Sequence, residues 1–354
     1  MSLTFVVGTS RCGSKMLSRM LYKHPEVLSV SEFWNCFMDT EGSIPTHDMT
    51  GEEFWLRLTT PASAYDGLIS AGIKQDDLLT SYTSRFDHAA SVPPFSRVLG
   101  WSTEESPDPL FDELARVVPG WPSRPVADHC RALFGELAVR RGRRVIVERT
   151  GGSLGYVKQL REMFPEALFV FLHRDGPDTA LSMSRYPTLR LHALRILAET
   201  LDTASPEELE RIPAEIRGTG SEEFRALTEP PFDKDRFLAF PIPLSFFSWL
   251  WSDMTRDGTR NIRAVPRDRI LTLRYERLLD NNQSELARLA AFIGVDADRQ
   301  WLDETLALAD PGRAGSASAQ LHPGELGTLR GICAAGARAF DLLESECAAA
   351  AGRR

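Results

Sequence analysis

The chain opens with a short apolar run, Leu3, Phe5, Val6 and Val7, whose β-branched and aromatic character suits a buried parallel strand. The run stops at Gly8 and passes through a turn of small and polar residues. From Ser14 the spacing becomes helical, with Met16, Leu17, Met20 and Leu21 on one face. His24-Pro25 ends that helix, and Val27, Leu28 and Val30 predict a second strand running into Ser31-Glu32-Phe33-Trp34. The alternation returns at Arg144–Glu148, with a helix over Leu154–Met163, a strand at Ala167–Leu172 and a helix carrying Ala180 to Met183. Arg269–Arg274 is a further strand, followed by an amphipathic helix over Leu286–Ile293. This order predicts an α/β fold, a parallel sheet flanked by helices with right-handed crossovers.

Two stretches break the pattern. Residues 38–130 mix helical segments (Glu52–Leu58, Pro109–Val118) with Pro-rich connections at Ser91–Ser96 and Trp121–Pro125. Residues 186–245 hold polar helices and several prolines. Both read as helical and loop insertions of a single domain, placed to cap the ligand edge of the sheet. The neighbours Glu104 and Glu105 sit in a loop-like stretch and read as solvated carboxylates, not as an acid/base pair. Phe246–Ile262 is an aromatic-rich helix of core type. Gly312–Ser316 is flexible by composition and leads into a terminal helix reaching about Cys347.

The first turn carries the clearest chemistry. A strand, a glycine-punctuated turn and a helix N-terminus make an anion cradle, because orphan N–H groups and the helix dipole attract phosphate. Arg11, Ser14 and Lys15 add a guanidinium, a hydroxyl and an ammonium group; Cys12 is small enough to fit the loop. Gly8 and Gly13 have the spacing of the triphosphate loop, GxxxxGK with Ser or Thr next, but Ser14 and Lys15 stand in swapped order. Met16 follows them, so the magnesium-holding hydroxyl is missing, which points to an anionic nucleotide bound without an obligatory metal. Glu32 falls at the C-terminal end of the second strand, the edge where open parallel sheets bind ligands. Arg149 and Arg174 fall at two further strand ends. Three anion-binding turns on one edge imply a ligand with widely separated negative groups. The His173-Arg174-Asp175 triplet matches a kinase catalytic loop only superficially, since Ala180 stands where that loop needs Asn.

Bulk properties narrow the choice. An apolar fraction of 43% with 25% charged residues is that of an ordinary globular protein, and a net charge of −8 argues against a general nucleic-acid binder. Five cysteines without a CxxC pair indicate neither a zinc cluster nor a disulfide framework and suit a reducing cytoplasm. The first strand begins almost at the initiator Met, leaving no room for a signal peptide. No apolar run approaches the roughly 20 residues of a membrane span.

At these residues the chain resembles the sulfotransferases that use 3′-phosphoadenosine 5′-phosphosulfate (PAPS), in the arginine-bearing form of bacterial and Golgi-type members. Gly8 to Ser14 is similar to their 5′-phosphosulfate loop. Arg174 with Ser182 eight residues on, and Asp178 in register, is similar to their 3′-phosphate signature, although Gly176 stands where the family usually has Pro and Pro177 comes one later. Arg274-Tyr275-Glu276 with Phe292-Ile293-Gly294 resembles the late segment whose tyrosine can reach the adenine, and Arg313 matches the C-terminal basic loop. The resemblance covers the sheet and its edges and leaves the two insertions unassigned.

The resemblance implies a P-loop nucleotide-hydrolase-like fold. It also implies transfer of a sulfuryl group from PAPS, without metal, to a hydroxyl of a small-molecule acceptor such as a specialised metabolite. Many cytosolic members carry a catalytic His after the strand matching Arg144–Glu148; here that turn is Arg149-Thr150-Gly151-Gly152. The general base implied is therefore Glu32, as in bacterial and Golgi-type relatives. Arg11, Lys15 and Arg149 would neutralise the leaving group. PAPS would be held by Arg11, Cys12, Gly13, Ser14, Lys15 and Met16 at one end and by Arg174, Ser182, Tyr275 and Arg313 at the other. Lys15 departs from the Ser or Thr usual there. Two other classes stay open: a metal-dependent nucleotide or small-molecule kinase, and a non-catalytic nucleotide-binding interaction protein.

Overall fold

In the computed structural model, which describes residues 2–41, 43–60, 68, 71–73, 93–101, 107–210, 217–218, 220–229 and 232–351, strand β1 (Ser2–Val7) is the middle of a five-stranded sheet. The other strands in chain order are β2 (Val27–Ser31), β3 (Asp48–Met49), β4 (Arg124–Pro125), β5 (Val145–Arg149), β6 (Leu168–His173) and β7 (Ile270–Arg274). The main sheet has the order β2-β5-β1-β6-β7, parallel throughout; β3 and β4 form a separate antiparallel pair. The α/β sheet and its strand positions follow the sequence reading, with shifts of a residue or two at the ends. Arg149 closes β5 and is not the first residue of the turn.

Side-chain alternation along the strands sorts the core into two layers. Phe5 and Val7 of β1, Val30 of β2, Ile146 of β5, and Phe169 and Phe171 of β6 face one apolar cluster. Val6, Val27, Val145, Val147, Val170 and Leu172 face the other. The first layer is covered by helices Val126–Arg140, Val157–Met163 and Pro323–Ala351. The second is covered by Ser14–Tyr22, through Leu17, Met20 and Leu21, and by Asn282–Ile293, through Leu286, Leu289 and Ile293. Both faces of the central strands are thus largely apolar, with Glu148 inside β5 the charged exception, which is why the strands read as hydrophobic runs. The aromatic helix Leu244–Ile262 packs on the terminal helix, burying Phe246, Phe247 and Trp251 as a core element.

Two of the helices that lie in or start from the stretches read as insertions tie them to the apolar clusters. Val126–Arg140 places Cys130, Leu133, Phe134 and Leu137 against the sheet, so the first stretch rejoins the core near Val126. Pro187–Thr203 joins Phe224, Phe237, Phe246 and Phe247 in a third apolar cluster. Glu104, Glu105, Pro230 and Pro231 lie outside the described residues. The helix expected over Leu154–Met163 starts as a 3₁₀ turn, Ser153–Tyr156. Among the described residues no helix is long and apolar enough to cross a membrane.

Candidate active site

The C-terminal ends of all five parallel strands open onto one edge. After β1 the chain turns through Gly8 to Gly13 into helix Ser14–Tyr22. Gly8 must be glycine, because a Cβ there would lie 2.6 Å from the Leu172 carbonyl oxygen and 2.7 Å from Cys12 Sγ. Gly13 is left-handed at φ +91°, and a Cβ there would stand 2.1 Å from Tyr275 Cδ2. Its carbonyl accepts the amides of Met16 and Leu17 at 3.0 and 3.2 Å. Cys12 is buried beside Ser14, and burial pushes its thiol up, as expected of a small packing residue and not of a nucleophile.

Among the described residues only two non-glycine residues have left-handed backbone, Arg11 at φ +64° and Glu32 at φ +61°. Such strain persists where the surroundings over-determine it, and it clusters at functional sites. Both positions are candidates from the sequence.

Glu32 follows β2 directly. Its amide donates to the Arg149 carbonyl at 2.7 Å. Its carboxylate accepts from the Arg149 guanidinium, from Asn35 Nδ2 at 2.8 Å and from the Gly151 amide at 3.1 Å. The Arg149 side chain is 4% exposed and Glu32 20%, so the pair is sheltered with the carboxylate nearer solvent.

The β6 side is built differently. Arg174 donates Nη1 to the Arg11 carbonyl at 3.1 Å and Nη2 to the Arg313 carbonyl at 3.0 Å, and its guanidinium lies 4.7 Å over the Tyr275 ring. It thereby bridges the glycine loop and the C-terminal loop. Arg11 reaches the same side: Nε donates to Ser182 Oγ at 3.1 Å, and the guanidinium stacks 4.4 Å over Tyr186. Asp175 caps helix Gly176–Ser184 by accepting the Asp178 amide at 3.0 Å, which accounts for the His-Arg-Asp triplet as local capping. His173 stacks on Phe340 at 3.9 Å, and burial pulls its imidazole down to about 3, so the ring is neutral.

Asp178, in register with the phosphate signature, is turned to another task. Its two oxygens accept the amides of Gly315 and Ala317, both at 2.8 Å. The run Gly312–Ser316, flexible by composition, is held through this carboxylate against the helix after β6. Arg313 itself pairs with Asp310 at 3.2 Å on the surface.

Arg149 Nε and Nη2, together with Arg174 Nε, are buried without a hydrogen-bond partner. A buried cationic N–H without an acceptor is costly, and anionic oxygens at this edge would satisfy all three. The donor set therefore fits a ligand with phosphate-like groups. Glu148, Thr150, Asn35 and Tyr186 also belong to the edge and escaped the sequence reading. Only Glu148 left a signal there, as a carboxylate inside the apolar run RVIVE.

A family model described as the sulfotransferase family matches residues 4–215. No curated protein matches the sequence. Three solved structures align with nearly the whole chain. The sulfotransferase domain from the curacin biosynthetic pathway is 12% identical over 93% of this chain and 96% of that one, with a TM-score of 0.48. The sulfotransferase domain from the Synechococcus PCC 7002 olefin synthase is 15% identical, covering 94% of each chain, with a TM-score of 0.45. A sulfotransferase from Alicyclobacillus acidocaldarius is 15% identical over 98% of this chain and 96% of that one, with a TM-score of 0.44.

Proposed function

The chain belongs to the sulfotransferase family, and on that premise we propose that it transfers a sulfuryl group from PAPS to a hydroxyl of a small-molecule acceptor of the specialised-metabolite kind. The observation that carries this reading is the order of groups along the sheet edge. Glu32 and Arg149 lie over β2 and β5, the glycine loop over β1, Arg174 and Ser182 beyond β6, and Tyr275 after β7. That order suits an acceptor at one end, a 5′-phosphosulfate in the middle, and a 3′-phosphate with adenine at the other.

PAPS, when bound, supplies a sulfuryl group on a nucleotide phosphate that leaves as the acceptor oxygen attacks in line. The protein's contribution is then positioning and charge stabilisation. Glu32 takes the acceptor proton, exchanging its Asn35 contact for the hydroxyl while Arg149 and the Gly151 amide hold its direction. Arg149 and Lys15 hold positive charge where the leaving oxygen gains negative charge, while the Arg11 guanidinium, on Ser182 and Tyr186, adds its charge on the 3′-phosphate side. Arg11 through Met16, at the helix N-terminus, cradle the 5′ end with Cys12, Gly13 and Ser14. Arg174 and Ser182 hold the 3′-phosphate, Tyr275 flanks the adenine, and Arg313 adds charge from the C-terminal loop. In this reading the described residues of the stretches 38–130, short of Val126, and 186–245 supply the acceptor cap of a single domain. The five cysteines are buried and form no disulfide, in keeping with a reducing, cytoplasmic setting.

Calorimetric titration with 3′-phosphoadenosine 5′-phosphate, ADP and ATP, with and without magnesium, tests the reading. The expected result is a metal-independent preference for the 3′-phosphorylated nucleotide that disappears in Arg174→Ala. A preference for ATP with magnesium would replace the proposal with a kinase. Binding of none of the three would leave a non-catalytic protein with a vestigial cradle.

A further inference from the structure

β5 carries one acidic residue into an aromatic core. Glu148 is fully buried, and its register partners Val30 on β2 and Phe5 on β1 belong to the cluster that also holds Phe33 and Trp34. An aliphatic side chain would fill such a place without the desolvation cost of a carboxyl group. The carboxyl is tied to the turn after β5. Oε1 accepts from Thr150 Oγ1 at 2.5 Å, and Oε2 is buried without a hydrogen-bond partner. Thr150 Oγ1 in turn accepts the Trp34 amide at 3.2 Å. The corner after β2 and the turn after β5 therefore meet on the Thr150 hydroxyl, which the Glu148 carboxyl holds in place.

The same corner and turn carry Glu32 and Arg149. The Glu32 amide donates to the Arg149 carbonyl, and the Gly151 amide donates to Glu32 Oε2. Glu32 keeps its left-handed backbone, which a non-glycine residue holds only when its neighbours leave no alternative. Glu148 and Thr150 supply that constraint from the core side, and the Arg149–Glu32 pair supplies it from the ligand side.

We propose that Glu148 is a positioning residue for Glu32: its buried carboxyl holds the Thr150 hydroxyl, which ties the turn after β5 to the corner after β2, and so fixes where the Glu32 carboxylate points. The inference rests on the reading of Glu32 as the base. Burial favours the neutral acid, with Glu32 nearby adding to the effect, and raises Glu148 to about 8. The tie is thus made at neutral pH without a second negative charge behind the base.

The test compares Glu148→Leu, Thr150→Val and Glu148→Gln by amide hydrogen exchange in the ligand-free protein and by calorimetry with 3′-phosphoadenosine 5′-phosphate. Exchange at residues 32–34 and 150–151 should rise about tenfold in the Leu and Val variants, the loss of one net hydrogen bond, and stay near the parent in the Gln variant. Exchange in the Gly8–Gly13 loop and nucleotide affinity should not change. Transfer from PAPS to 2-naphthol, used as a generic hydroxyl acceptor, should lose kcat in the Leu variant with KM for PAPS unchanged, and recover in the Gln variant. If Glu148→Leu fails to fold, Thr150→Val, which removes a single hydroxyl, carries the same comparison. Unchanged exchange at 32–34, or a rise spread evenly over the molecule, would overturn the tie. A parent protein that does not bind the nucleotide would instead count against the proposed function, with the exchange result still deciding whether the tie exists.

Discussion

Replacing Glu148 by Gln should stabilise the protein at neutral pH, and the gain should depend on pH in a defined sense. The carboxyl moves from an ordinary value of 4.5 in the unfolded chain to about 8 in the fold, chiefly through desolvation. Below pH 4.5 it is protonated in both states, and the stability it allows is fully present. As pH rises from there, the unfolded chain releases the proton while the folded one keeps it, so stability falls. The fall ends near pH 8, where the folded group also ionises. At about 1.4 kcal/mol per pH unit, the loss amounts to roughly 3 kcal/mol by pH 7 and roughly 4 kcal/mol by pH 8, where the folded group is half ionised. Glutamine keeps an acceptor for Thr150 Oγ1 and does not titrate. Urea unfolding of parent and Glu148→Gln at half-unit steps from pH 4.5 to 8.5 reads the difference directly. The two curves should meet near pH 4.5 and separate steadily, with the Gln variant more stable. A difference that stays flat, or grows in favour of the parent, would mean that Glu148 is ionised in the fold and held by Arg149, and the neutral-acid reasoning would be wrong.

Glu32→Gln should lower turnover at least ~100-fold, the usual contribution of a positioned base, with nucleotide affinity unchanged by calorimetry. Gly13→Ala should cost roughly 2–4 kcal/mol in urea unfolding, from the left-handed backbone and the collision with the Tyr275 ring; Tyr275→Ala in the same chain should recover the collision part only. Asp178→Ala should remove two charge-assisted bonds and destabilise by about 3 kcal/mol. Its distinguishing effect is local: limited proteolysis should begin within residues 311–320, while Arg174 keeps its bond to the Arg11 carbonyl.

How much of the site was legible follows from how locally each part is encoded. The glycine loop declares itself within a few residues, because a buried strand, a left-handed glycine and a helix start occur in succession. Glu32 and Arg174 are legible as strand-end residues for the same reason. Asp178 was legible as a position but not as a job, since its partners Gly315 and Ala317 lie 137 and 139 residues away. Arg11 was read toward the sulfuryl end, yet its side chain turns to Ser182 and Tyr186, a direction set by its left-handed backbone and by the helix after β6.

The sequence by itself determined the layered α/β architecture. Apolar runs buried on both faces make central parallel strands, and amphipathic helices must cover them. It also determined the polarity of the ligand edge, because each strand runs directly into a turn carrying Arg, Glu or Gly. Only the tertiary structure decided that β5 lies between β2 and β1. That order brings Arg149 against Glu32 and places the Glu148 carboxyl under both turns. No local period encodes such a neighbour. It depends on which strands pair and in what register, and that is settled by packing the whole sheet against its two layers of helices.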